Sequence, residues 1–115
     1  MALDVISGTA VINSGTSLSS IVSLSEAQVL TLWLPTAWTA ATISLVFLGP
    51  DGVERTLGNE DGEVAVAASA SRVVVLTGAL IPAGVRGLRV RSGSSGSPVN
   101  QAAERTILVS ARRFG

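Results

Sequence analysis

The chain has no histidine, cysteine, tyrosine or lysine. Without His or Lys none of its many serines has the usual activating base, and without Cys there is no thiol nucleophile, so nucleophilic catalysis has no support. The common zinc ligand sets cannot be assembled. No disulfide framework exists, and cysteine usage says nothing about compartment. Aromatics are 3% of residues, which leaves little surface for stacking on bases. Charged residues are 14%, against about 25% in ordinary domains. Long apolar runs are missing too. Residues 29–34 and 43–48 are among the longest, far short of the ~18 a membrane helix needs. The start, Met1-Ala2-Leu3-Asp4, has no basic segment leading into an apolar stretch and does not read as a secretory signal.

What remains is aliphatic. Hydrophobic residues are 47% of the 115, and the mean hydropathy is +0.53. That is too apolar for a disordered chain and enough for one domain with one core. The expected organisation is a single domain over 1–115, with flexible ends at 1–6 and 112–115. Net charge is zero but unevenly laid out. Seven acids and one Arg precede Arg72, whereas seven Arg and one acid, Glu104, lie from Arg72 onward. Either strands from the two halves interleave and the charges mix, or the molecule carries opposite patches suited to self-association.

Short alternating runs separated by turn residues predict strands. They fall at 7–13, 18–24, 28–34, 42–48, 53–57, 63–67, 72–77, 87–91 and 106–111. The run 18–24, whose polar positions are all serine, reads as an edge or interface strand. The run 28–34 is apolar on both faces, which predicts cover on both sides and places Trp33 in the core. Ser14-Gly15, Gly49-Pro50-Asp51-Gly52 and 59–62 are turns, and 92–98 is a flexible loop. Helix signals are weak; Ala102-Ala103-Glu104 is at most one turn. Eight or nine short strands at this spacing predict an all-β fold: an antiparallel β-sandwich, jelly-roll-like.

Few residues offer chemistry. Glu60, Asp61 and Glu63 could pair for acid–base work or hold Ca²⁺, but they lack the ordered spacing of an EF-hand loop and read better as a solvated turn. The glycines of 92–96 are followed by no Lys, so they do not make a phosphate loop. The expectation is therefore no enzyme, no cofactor and no metal. A neutral chain with little stacking surface also argues against direct nucleic-acid binding. Trp38, in a loop, is a candidate platform for a sugar face; its plainer reading is a cap on the core. Arg89 and Arg91, two apart on one strand, share a face, and Arg112, Arg113 and Phe114 add two cations and a ring beyond the last strand. These five form a candidate assembly surface, with the acid-rich stretch 51–63 of a neighbouring copy, or a negative patch on another protein, as its counterpart.

Short motifs follow one another in order along the chain: Pro35, Ala37, Trp38, Thr39, Ala40 and Ala41; Asp51 and Gly52; Ala70, Ser71 and Arg72; Arg91, Ser92 and Gly93; and Pro98, Val99, Asn100, Gln101, Ala102, Ala103 and Arg105. This order resembles a family of small proteins encoded by tailed bacteriophages and prophages, often near head and tail structural genes. The resemblance spreads over roughly residues 15–112. The aliphatic, acid-poor stretch 72–80 departs from that pattern. The resemblance implies a virion component, a capsid decoration (cement) or head-fibre protein, made in the host cytoplasm and carried on the particle. Its partners would be further copies of itself, a trimer being one option, and the major capsid protein or another virion protein, with no membrane. The rival reading is a carbohydrate-binding module or adhesin on the virion that contacts a cell-surface glycan.

Overall fold

The computed structural model describes residues 3–24, 29–76 and 81–114, and only the backbone of Leu3, Asp4, Asn59, Arg113 and Phe114. Ten strands lie among these residues: β1 (Leu3–Ile12), β2 (Val22–Ser23), β3 (Val29–Trp33), β4 (Ile43–Leu48), β5 (Glu54–Thr56), β6 (Gly58–Asn59), β7 (Gly62–Glu63), β8 (Val73–Leu76), β9 (Gly87–Ser92) and β10 (Arg105–Phe114). There is no helix among them, and of residues 102–104, Ala102 and Ala103 form a bend.

Eight strands make two antiparallel sheets, β1-β10-β3-β8 and β2-β9-β4-β5, while β6 and β7 form a small separate hairpin. The ladders nest. β1 pairs with β10, β2 with β9, β3 with β8 and β4 with β5, alternately in one sheet and the other. A long hairpin rolled onto itself gives this order, and it is the jelly roll.

The core lies between the sheets. Ile12, Leu30, Leu32, Ile43, Leu45, Leu88, Val90 and Ile107 are fully buried there. Each contributes on the order of 1.5–3 kcal/mol through burial. The alternation of β9 works as the sequence predicts: Leu88 and Val90 are buried, and Arg89 and Arg91 lie on the other face.

The turns follow their residues. At the β4–β5 hairpin the Gly52 N–H donates to Gly49 O at 3.0 Å, and Gly52 has φ +79°. That is a type I turn closed by a left-handed glycine, with Pro50 presetting φ. Residues 92–98, expected to be flexible, instead form a bonded hairpin. Gly93 bridges Pro98, and Ser94 N–H donates to Ser97 O at 3.2 Å. Gly93 has φ +88°, and a Cβ there would sit 2.5 Å from Ser97 O, so only glycine fits.

Other expectations shift. The run 18–24 shrinks to two strand residues plus a bridge from Leu18 to Arg91. The reason is that it crosses between sheets: Ser20 N–H bonds Val11 O in one, and Ser19 N–H bonds Val90 O in the other. The run 63–67 keeps only Glu63 in a strand, with Val66 bridging Ile43. β3 is covered on one face alone, and Trp33 is 46% exposed rather than core. Gln28 and Thr77, assigned to strands from sequence, lie outside the described residues. The segments read as flexible ends include residues 1, 2 and 115, which also lie outside them. In their described parts, residues 3–6 pair in register with residues 111–114.

Candidate functional site

In the sheet β1-β10-β3-β8 the period of two sends alternate side chains away from the core. Register places these outward residues in rows across the strands. Val73, Trp33, Leu108 and Thr9 form one row, and Val75, Thr31, Ser110 and Ser7 the next. Val29, Arg112 and Val5 form a third. Val5 (68%), Val75 (58%) and Leu108 (53%) are among the most exposed large apolar residues of the chain. The residues between them are hydroxylated. Arg112 is the single charged side chain among the described residues on this face, and no acid accompanies it.

The Trp33 indole N–H donates to Ser110 Oγ at 3.1 Å, which ties the ring to the neighbouring strand. Beside it lies a shallow depression of about 380 Å³ lined by Ser7, Thr9, Trp33, Leu108 and Ser110, among others. Four strands spaced ~4.8 Å apart, at ~3.4 Å per residue, give a face on the order of 500 Å². Five exposed large apolar residues, Val5, Trp33, Val73, Val75 and Leu108, share that area with hydroxyl side chains.

The outer face of the sheet β2-β9-β4-β5 is built differently. Arg89 Nε meets Glu54 Oε1 at 2.6 Å, and its Nη1 donates to Ser19 O at 3.0 Å. Arg91 Nη1 donates to Thr56 Oγ1 at 3.2 Å and reaches Ser44 Oγ at 3.4 Å. Both guanidinium groups therefore have partners within their own chain, Glu54 and Thr56 among them from the acid-rich stretch. Strands from the two halves of the sequence interleave, and the lopsided charge mixes in space. Glu63 accepts from the Ser95 hydroxyl and from Ser95 N–H at 3.0 Å. Those bonds, with Arg91 nearby, hold its carboxyl below the usual range. Asp51 Oδ2 lies 2.6 Å from Arg55 Nη2 at the hairpin tip. The hydrogen bond from Arg55, then that from Val53 N–H, lowers Asp51 from 3.8 to about 2.

The remaining candidates are scattered. Arg112 is on the bare face, opposite Val5 and Val29. Arg113 and Phe114 pair with Asp4 and Leu3 through the backbone; their side chains lie outside the described residues. Glu60, Asp61 and Glu63 sit around the β6–β7 hairpin, and among the described residues no group of three metal-ligating side chains comes together. Trp38 is half-buried against the core, with its indole N–H donating to Ala41 O at 3.2 Å.

One structural centre was not singled out from sequence. Gln101 is fully buried, and its side-chain amide is fully engaged. Its Oε1 accepts from Thr39 N–H at 2.8 Å and from Arg105 Nε at 3.1 Å. Its Nε2 donates to Ser92 Oγ at 2.7 Å and Thr39 O at 3.1 Å. Thr39, Gln101 and Arg105 all fall in the motifs that carry the phage resemblance, so that resemblance held the signal, but no spacing rule joins residues 62 apart.

No protein-family profile matches the chain, and no curated protein matches it. Among solved structures it is similar to the SPBc2 prophage-derived protein YomS, with a TM-score of 0.62 and 13% identity over 97% of this chain and 96% of that one. The likeness is one of fold. A structure of Bacillus endospore appendages, described as disulfide-linked pili, aligns over 98% of this chain and 87% of its own at a TM-score of 0.44 and 11% identity, too loosely to bear on this chain.

Proposed function

We propose that the chain is a non-enzymatic structural subunit of a tailed-phage particle, a capsid decoration or head-fibre protein, that self-associates and docks on the virion. The observation that carries this reading is the outer face of β1-β10-β3-β8. Its strand β3 reads from sequence as covered on both sides, yet in the single chain its outward residues and those of its neighbours stand open. Water-exposed Val, Leu and Trp among small hydroxyls, with one cation and no acid among the described residues, make a surface suited to burial against protein. The fold shared with a prophage-derived protein and the motifs of the sequence support the phage assignment.

The test is co-sedimentation with particles of the encoding phage or prophage prepared without this chain. The parent should bind, and Leu108→Glu, which places a charge at the centre of the face, should not. A parent that fails to bind, or a Leu108→Glu variant that binds equally well, refutes the reading.

A second reading has one observation in its favour. Trp33 presents an exposed ring beside a depression lined with hydroxyls, an arrangement that suits a sugar face. Glycan-dependent tryptophan fluorescence that disappears in Trp33→Ala and persists in Trp38→Ala would favour the adhesin class.

A further inference from the structure

The four sheet edges of the sandwich are unequal. β2 has two residues, β5 has three with Glu54 and Arg55 among them, and β8 has four. β1 has ten, paired with β10 in an unbroken register from Leu3 to Ile12. Natural edges are blunted by shortness, charge, proline or bulges. Residues 5–9, Val-Ile-Ser-Gly-Thr, have none of these.

Backbone direction locates the free groups. Val11 turns its N–H to Ser20 Oγ at 3.0 Å and its C=O to Ser20 N–H at 2.9 Å, away from β10. In an antiparallel ladder alternate residues point the same way, so Val5, Ser7 and Thr9 also aim N–H and C=O outward. Those groups have no partner among the described residues. The Ser20 contact closes the edge at Val11, and Asp4 bounds the uncharged stretch at the other end, so that stretch, residues 5–9, is centred on Ser7.

We propose that two copies of the chain pair antiparallel through β1, Val5 opposite Thr9, Ser7 opposite Ser7 and Thr9 opposite Val5. The occupant is a second copy because the stretch complements itself. Within the uncharged stretch 5–9 the residues with outward groups are Val5, Ser7 and Thr9, so a two-fold axis at Ser7 sets each against another of the same kind and keeps Asp4 outside the paired segment. Each of the three pairs then exchanges two hydrogen bonds. The stretch carries no charge to repel its copy. The side chains of these three residues lie on the bare face, so pairing joins two such faces into one eight-stranded surface on the order of 1,000 Å². The inference deepens the assembly reading above and rests on it for its purpose.

Sedimentation of the full chain over a wide concentration range should show a monomer–dimer equilibrium. Ser7→Pro removes one outward N–H that the β1–β10 ladder does not use, a placement edge strands tolerate. It should weaken dimerisation at least a hundredfold while the β-sheet circular dichroism is kept. Since the chain has no cysteine, Ser7→Cys should oxidise to a covalent dimer across the axis, whereas Ser110→Cys should not. The crosslink decides the matter if Ser7→Pro fails to fold. A trimer, a Ser7→Pro variant that dimerises like the parent, or crosslinking at position 110 instead of 7 overturns the pairing. A chain that stays monomeric yet co-sediments with particles also overturns it, and leaves the assembly reading standing. Loss of particle binding in a chain that still dimerises through β1 does the reverse.

Discussion

The two outer faces of this sandwich have opposite constructions. On β2-β9-β4-β5 the charged groups are held by their own chain: Arg89 by Glu54 and Ser19, Arg91 by Thr56 and Ser44. Beneath them Val46 is buried. On β1-β10-β3-β8 the large apolar side chains Trp33, Val73, Val75 and Leu108 have no such cover. A face that satisfies its own charges has little left to offer a partner. A face of uncovered aliphatic and aromatic groups gains about 25 cal/mol for every Å² it removes from water, so partner binding is favoured there. The cation-rich half of the chain therefore differs from the face best suited to assembly, although Arg112 belongs to both.

The largest expected effect undermines both faces together. Gln101 ties the β3–β4 loop to the end of β9 and the start of β10, one strand from each sheet. Gln101→Leu leaves Thr39 N–H and Arg105 Nε without their acceptor and should cost about 2–4 kcal/mol in urea unfolding. A loss below 0.5 kcal/mol, on the order of a surface substitution, would show that the sheets do not depend on this clip. Next comes Leu108→Glu, with at least a tenfold loss of association with particles, equivalent to about 1.4 kcal/mol, and little change in monomer stability because the side chain is half exposed. If association survives it, the bare face is not the contact.

Arg89→Ala should do the opposite. It removes a half-exposed ion pair and a bond to Ser19 O, costs about 1 kcal/mol of monomer stability, and leaves association unchanged. Should Arg89→Glu with Arg91→Glu abolish association in a chain that unfolds like the parent, the contact lies on the charged face and the contrast is reversed. The smallest effect is at Asp51. Its carboxyl titrates near 2 when folded, below its ordinary 3.8. Its stabilisation of the β4–β5 tip is therefore complete above 3.8 and lost as pH falls toward 2. Carbon-detected titration of Asp51 should show that depressed midpoint in the parent and a return toward 3.8 in Arg55→Ala.

Much of this was legible in the chain. Alternation at Ile43–Leu48 and Gly87–Ser92, with Pro50 and Gly52 at a turn, is local, and the period of two needs no tertiary knowledge. The bare face was half legible. β3 read as apolar on both sides, a correct statement about its residues, but alternation cannot say whether the second side meets the same chain, another chain or water. The partners of Arg89 and Arg91 were not legible, because Glu54 is 35 residues from Arg89 and faces it only through the order of β9, β4 and β5. Gln101 looked like any polar loop residue for the same reason.

Local chemistry, then, decided the strand class, the turns and the lack of reactive side chains, since each depends on a few neighbouring residues. Which strand became an edge, which cation found an acid and which apolar row was left open depend on nested ladders between distant segments. Those pairings exist only once the two sheets have closed on each other, which is why the free edge of β1 and the bare face beside it belong to the tertiary structure alone.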